Sequence, residues 1–227
     1  MTATGSTGGA PSARPVRLAV VPAGLGEPSS TRLLADRLAE ATRVALAEDG
    51  VETETEVVEL RGLATGIAHA FVTGLTGDEL REGVGKVSEA DGLIAVTPVF
   101  SASYSGLFKS FFDVVGMTDK DALAGKPTLL AATGGSPRHS LVLEHALRPL
   151  FTYLRAVTVP TAVYAATDDW ATADDGLTPS LPHRVARAGG ELAGLIAPRA
   201  TTSADPATTA PEVVPFEQQL AALRVKK

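Results

Sequence analysis

The stretch T-P-V-F-S-A-S-Y-S-G-L-F-K-S-F-F-D, from Thr97 to Asp113, follows directly on a short apolar run, Gly92-Leu93-Ile94-Ala95-Val96. That run is too short for a helix, and its branched residues suit a strand buried on both faces, as in a parallel sheet. Pro98 lacks an N–H and fixes φ, so it is expected to end the strand. Small and hydroxylated residues follow, and a helical pattern resumes at Leu107. Open α/β sheets bind ligands at loops of this kind, just past the carboxyl ends of central strands. Backbone N–H and C=O groups, the hydroxyls of Ser101 and Ser103 and a rigid proline would suit a flat ring with polar edges. The same residues would serve as an ordinary strand-to-helix connection, and both readings stand on this stretch alone.

Outward from here, strands and helices alternate. Residues 17–22 read as an apolar strand, and 29–49 as a helix with Leu34, Leu38, Ala41 and Ala45 at helical spacing. Residues 51–60 alternate Thr or Glu with Val, as in a strand with one wet face at a sheet edge. Residues 61–75, with three glycines, are expected to form a long loop. A helix over 76–90 would carry Thr76 as cap and Glu79 as the partner of a capping box. After the Leu107 helix come a strand over 126–133, a helix over 140–155, a strand over 157–165 and a helix over 182–196. Pro160 inside that strand suggests an edge or a bulge. The order βαβαβαβαβα calls for one parallel sheet with helices on both faces.

Composition narrows the function. The chain has 227 residues, 44% of them hydrophobic, and fits one domain with a sizeable core. Its net charge of −6 argues against a nucleic-acid surface. It has no cysteine, which excludes disulfides, iron–sulfur clusters and thiol chemistry. No stretch approaches the roughly 18 uninterrupted apolar residues of a membrane span. Residues 1–15 lack an apolar segment and read as a disordered leader rather than a signal peptide, so the expected compartment is the cytoplasm. Residues 198–215 read as a Thr/Ala/Pro-rich linker, and Phe216, Leu220 and Leu223 as one face of a short C-terminal helix.

Two more loops follow strands. In the first, Pro22-Ala23-Gly24-Leu25-Gly26-Glu27-Pro28-Ser29-Ser30-Thr31-Arg32, three hydroxyl residues and an arginine meet a helix start. Free N–H groups and the helix dipole make such an end an anion site. Plain N-capping needs only one hydroxyl, so three favour phosphate, with Glu27 opposing it unless turned away. The other loop is Thr133-Gly134-Gly135-Ser136-Pro137-Arg138-His139. Competing motifs fail: the dinucleotide fingerprint lacks its third glycine, and no Walker pattern, nucleophile elbow or metal-ligand histidine spacing occurs. His69 and His183 read as surface or satisfied histidines, and Asp168-Asp169 and Asp174-Asp175 as solvated pairs.

Together these stretches resemble the NADPH-dependent FMN reductases of flavodoxin-like fold, over roughly residues 16–196. Pro28-Ser29-Ser30-Thr31-Arg32 is similar to that family's phosphate loop. Thr97, Pro98, Ser103, Gly106, Lys109 and Asp113 match its T-P-E-Y-N-x-S-x-P-G-x-L-K-N-x-x-D signature. Thr133 to Ser140 resembles its third flavin loop. Gly24 and Gly26 replace a serine and an arginine of the family's phosphate loop, leaving Arg32 as the substitute charge. Val99-Phe100-Ser101 stands for the family's Glu-Tyr-Asn.

The resemblance implies a five-stranded parallel sheet in the order 2-1-3-4-5 and a cytoplasmic oxidoreductase using FMN and NADPH. Ser29, Ser30, Thr31 and Arg32 would hold the FMN phosphate. Pro98, Val99, Phe100, Ser101, Ala102, Ser103 and Tyr104 would line the ring, with Thr133, Gly134, Gly135, Ser136, Arg138 and His139. Arg138 is either a contact for NADPH phosphate or a solvated arginine, and the Lys109–Asp113 pair serves structure. Reduced FMN would supply a flavin-dependent monooxygenase, as in actinobacterial reductases of this kind. An FMN-containing quinone or azo reductase is the alternative, with a flavodoxin-type electron carrier behind it. No nucleic acid or membrane is expected as partner. The helix from Leu107 to Val115 carries apolar residues on more than one stripe, so a homodimer or dimer of dimers is expected, unless 61–75 covers the excess.

Overall fold

The computed structural model describes residues 14–170 and 179–200. Strand β1 (Val16–Pro22) lies between β2 (Thr53–Val57) and β3 (Gly92–Phe100), and β3 continues to β5 (Pro127–Gly134), all parallel. A two-residue strand, β4 (Ser103–Tyr104), folds back antiparallel on the end of β3. The outer edge of β5 pairs with β6 (Val157–Thr158) and then β7 (Val163–Ala166). Taking β6 and β7 as one broken strand, the order is the expected 2-1-3-4-5.

Side chains alternate across the sheet as strand geometry requires. Leu18, Val20, Ile94, Val96, Leu129 and Ala131 face α1 (Ser30–Glu48) and α6 (Leu181–Ala200). Ala19, Val21, Leu93, Ala95, Leu130 and Ala132 face the helices of the other layer. Those are α2 (Leu60–Thr73), α3 (Asp78–Glu89), α4 (Gly106–Thr118) and α5 (Arg148–Tyr153).

Several expectations are corrected. Residues 61–75 are mostly helix rather than loop. Leu60, Ile67 and Ala70 are buried at helical spacing, and Gly74, at φ 73°, ends α2 in the left-handed region. Gly62 and Gly66 hid the pattern; at Gly66 a Cβ would sit 3.8 Å from Leu80, so α2 and α3 pack closely there. Helix α3 has Gly77 as N-cap and no side-chain cap, so the box from Thr76 to Glu79 does not form. The 140–155 helix is broken into a π turn over Leu143–Leu147 followed by α5. Pro149 has no N–H to give the turn before it, and the wide turn sits there.

Pro98 does not end β3, which runs on to Phe100. The Val96 carbonyl accepts from Ala23 N–H at 2.9 Å, so even-numbered residues of β3 face β1. At Pro98 that neighbour has already turned away, and the missing donor breaks no ladder bond. Pro160 does mark a bulge. Val157 pairs with Pro127 but Val163 with Ala131, so two extra residues lie between β6 and β7.

Arg14, near the end of the expected leader, forms a bidentate guanidinium pair with Asp91 at 2.6 and 2.8 Å. Residues 1–13 of the leader, Asp174-Asp175, most of the linker and the C-terminal helix lie outside the described residues. The apolar stripes of α4 are covered within the chain. Phe108, Phe111 and Phe112 are fully buried, Phe112 meets Phe151 edge-on at 4.9 Å between ring centroids, and α2 packs alongside. Residues 61–75 thus supply part of the cover over α4, as the helix α2.

Candidate active site

The β1, β3 and β5 loops open side by side at the carboxyl edge of the sheet. The registers show it: Pro22 lies opposite Val96, and Pro98 opposite Thr133. This is where strand order reverses between β1 and β3, the usual ligand crevice of such sheets.

In the first loop Ser29 is the N-cap of α1, its hydroxyl accepting from Arg32 N–H at 3.1 Å. The first N–H groups of the helix, at Ser30 and Thr31, have no intrahelical acceptor. A Cβ on Gly24 would lie 2.0 Å from the Ser29 hydroxyl oxygen, so the loop closes only over a glycine. Ser30 is exposed. The Arg32 guanidinium is held by Asp36 at 2.8 Å and Glu59 at 3.2 Å, which leaves it the weaker source of charge. Glu27 is paired with Arg61 of α2 at 2.7 Å, which offsets its charge beside the loop. Sequence reasoning missed Arg61 because it lay in the supposed 61–75 loop.

Thr31 is 2% exposed and Thr133 4%, and their hydroxyls meet at 2.7 Å. That contact joins the first turn of α1 to the end of β5, so the phosphate candidate and the third loop are one assembly.

The second loop is a two-residue hairpin. Val99 pairs with Tyr104 and Phe100 with Ser103, and the turn residues Ser101 and Ala102 have φ of 49° and 64°. Positive φ at both positions marks the primed turn that matches strand twist. The buried Thr97 hydroxyl accepts from Ser105 N–H at 3.0 Å and donates to the Pro98 carbonyl at 2.9 Å, tying both ends of the loop. Ser105 then caps α4 by accepting from Phe108 N–H at 3.2 Å. Phe100, Ser101 and Ala102 are exposed, Pro98, Val99 and Ser103 half-buried. The half-buried Tyr104 stacks toward Phe108, with centroids 6.0 Å apart. Lys109 donates to Asp113 at 2.7 Å along α4.

In the third loop Gly135, Arg138 and His139 are exposed, the last two on a 3-10 turn, Pro137–His139. A Cβ on Gly135 would find nothing within 4 Å, so it borders open space. Gly134 and Ser136 are half-buried over Tyr164 of β7, whose hydroxyl donates to the Ser136 carbonyl at 2.8 Å. Tyr164 went unmarked because one tyrosine inside an apolar strand reads as core. His69 and His183 are exposed on α2 and α6, away from these loops.

The chain resembles known proteins along most of its length. A family profile described as NADPH-dependent FMN reductase matches residues 16–171. The chain is 39% identical to the NADH-dependent FMN reductase SfnF of Pseudomonas fluorescens over 160 residues, 70% of this chain and 80% of that protein. It is 37% identical to an FMN reductase (NADPH) of Pseudomonas aeruginosa, over 69% of this chain and 80% of that one. The crystal structure of an oxidoreductase from Corynebacterium diphtheriae superposes with a TM-score of 0.76 at 47% identity, covering 81% of this chain and 98% of that one. The chain belongs to the NADPH-dependent FMN reductase family, flavodoxin-like oxidoreductases that work with FMN and NAD(P)H.

Proposed function

We propose that the protein reduces FMN with NAD(P)H as an exchangeable substrate and supplies the product to a flavin-dependent monooxygenase. The observation that carries the assignment of the site is the 2.7 Å hydroxyl contact between Thr31 and Thr133. It brings a helix N-terminus suited to phosphate against a glycine-rich loop suited to a ring. The fit is supported by the free N–H groups of α1, the open space at Gly135 and the exposed hairpin tip.

FMN, when bound, supplies the two-electron chemistry, accepting hydride from the nicotinamide. The chain's part is to hold and orient. Ser29, Ser30 and the first N–H groups of α1 would bind phosphate. Residues 98–104 and Gly134 to His139 would frame the ring, and exposed Arg138 would meet the nicotinamide dinucleotide's phosphate. With Arg32 committed to two carboxylates, the phosphate is held mainly by neutral donors. That supports a flavin that leaves once reduced.

The compartment proposed is the cytoplasm, and the assembly a homodimer. Phe71, Met117 and Tyr153 are exposed around one groove that Phe112 and Leu154 also line, and patches of this kind mark interaction sites. The test of function follows NAD(P)H oxidation with free FMN and with a quinone. Turnover with excess FMN, with flavin lost on gel filtration, is expected. Tightly retained FMN that passes electrons only to the quinone would replace this assignment with the quinone or azo reductase, and oxidation with neither acceptor with an electron carrier.

A further inference from the structure

Tyr164 stands on β7 opposite Ala132, buried to 5% exposure, yet its hydroxyl leaves the core. It reaches the Ser136 carbonyl at 2.8 Å by passing Gly134. A Cβ on Gly134 would lie 2.1 Å from that hydroxyl oxygen and 3.2 Å from Cζ, so the path exists only because residue 134 has no side chain. The base of the strut is fixed too. Arg184 of α6 donates to the Tyr164 carbonyl and to Asp169, each at 2.5 Å, and Asp169 accepts from Ala166 N–H at 2.7 Å. Burial, with the charge of Asp169 added, pushes the phenol above its ordinary pKa, so the hydroxyl remains a donor.

We propose that Tyr164 is a positioning residue for the flavin ring: its hydroxyl, passing over Gly134, fixes the Ser136 carbonyl and so sets the seat of Gly135 against the ring. This rests on the assignment of the third loop to the flavin site. The Thr31–Thr133 contact holds the phosphate side of the same loop, and Tyr164 holds its ring side. Tyr164 touches the protein alone and acts through the loop. Its loss should therefore affect any flavin that carries the ring, with or without phosphate.

The experiment titrates Tyr164→Phe, in the full chain, with FMN and with riboflavin, following the absorbance of the bound ring alongside the melting temperature. Removing one neutral hydrogen bond is expected to weaken both flavins by the same factor, about three- to ten-fold, with a changed bound-ring spectrum. Gly134→Ala is expected to weaken both flavins more, because the new methyl meets the hydroxyl. In the Tyr164→Phe background the same methyl should add less, since the obstructing oxygen is gone and only the 3.2 Å approach to Cζ remains, and the two changes should be non-additive. Wild-type affinity and spectrum in Tyr164→Phe would overturn the proposal, whatever the melting temperature does. So would a loss confined to FMN, or strictly additive effects. Gly135→Val separates the two levels. Normal FMN binding by it would remove the third loop from the site, and the proposal with it. Abolished binding beside a silent Tyr164→Phe would sink the role of Tyr164 alone.

Discussion

Ser29 does two things at once. Its hydroxyl oxygen accepts from Arg32 N–H, and its hydrogen remains to be given to an anion. A hydrogen bond to a charged group contributes about 1.5–3 kcal/mol. Ser29→Ala should weaken FMN roughly ten- to a hundred-fold while riboflavin binds as before, and it should lower stability by about 1 kcal/mol through the lost cap. Isothermal titration with the two flavins decides it, and equal losses for both would remove the phosphate assignment. Hydroxyls, glycines and loop position announced the site in the sequence. The partners did not. Nothing in the order of residues says that Arg32 is held by Asp36 and Glu59, that Glu27 is paired with Arg61, or that Thr31 meets Thr133 across 102 positions. Contacts of that range are properties of the folded chain.

Elements were legible wherever apolar spacing was clean, as in β1, α1, β3 and β5. They were obscured where glycine diluted the pattern in α2 and where Pro149 broke the helix before α5. The β3–β4 hairpin was hidden for a different reason. Its turn requires left-handed backbone, which favours Asn-Gly, yet the chain has Ser101-Ala102. Ordinary residues pay roughly 1–2 kcal/mol in that region. The double change Ser101→Asn and Ala102→Gly should raise stability by about 1 kcal/mol, measured by denaturant midpoint at unchanged slope. An unchanged or lower midpoint would mean that the turn carries no strain.

At the opposite end of β3, Asp91 accepts from Arg17 N–H at 2.8 Å besides pairing with Arg14. Burial works to raise its pKa, but the Arg14 guanidinium and the Arg17 N–H outweigh it and hold the carboxyl below its ordinary value. A depressed folded pKa gives stability that is present above the unfolded value, near 3.9, and is lost as pH falls through the folded one. Asp91→Asn should therefore be less stable than wild type at pH 7, and the gap should shrink in melts taken at pH 3 and below. A gap that stays constant with pH would show the charge to be irrelevant.

The whole molecule is a doubly wound sheet with its chemistry at one edge, and that much follows from the alternation of elements. Assembly was read from the α4 phenylalanines, but α2 and Phe151 cover them. Exposed apolar residues lie beside them, around a groove that Phe112 also lines: Phe71 at 45%, Met117 of α4 at 62% and Tyr153 at 84%. Light scattering should give twice the 23.3 kDa chain mass, or a multiple of it. Tyr153→Glu, at a position that the fold leaves in water, should shift the protein toward monomer without lowering its melting temperature when dilute. A wild-type monomer at micromolar concentration, still active, would end the dimer proposal.

The Thr31–Thr133 contact also fixes a count of hydrogens. Two hydroxyls bring two hydrogens, and the bond between them occupies one. Only one hydrogen of the pair is left to point elsewhere, and whichever residue accepts within the pair is the one free to donate outward. A ligand oxygen arriving there finds a single donor, and the direction of the shared bond must be chosen before that donor can turn. Thr133→Val removes the choice and leaves Thr31 with its own hydrogen but no partner oxygen to receive it. Thr31→Val does the reverse. Two substitutions that look alike on paper would therefore leave the one surviving hydroxyl on opposite sides of the junction, on the helix start in one case and on the glycine-rich loop in the other.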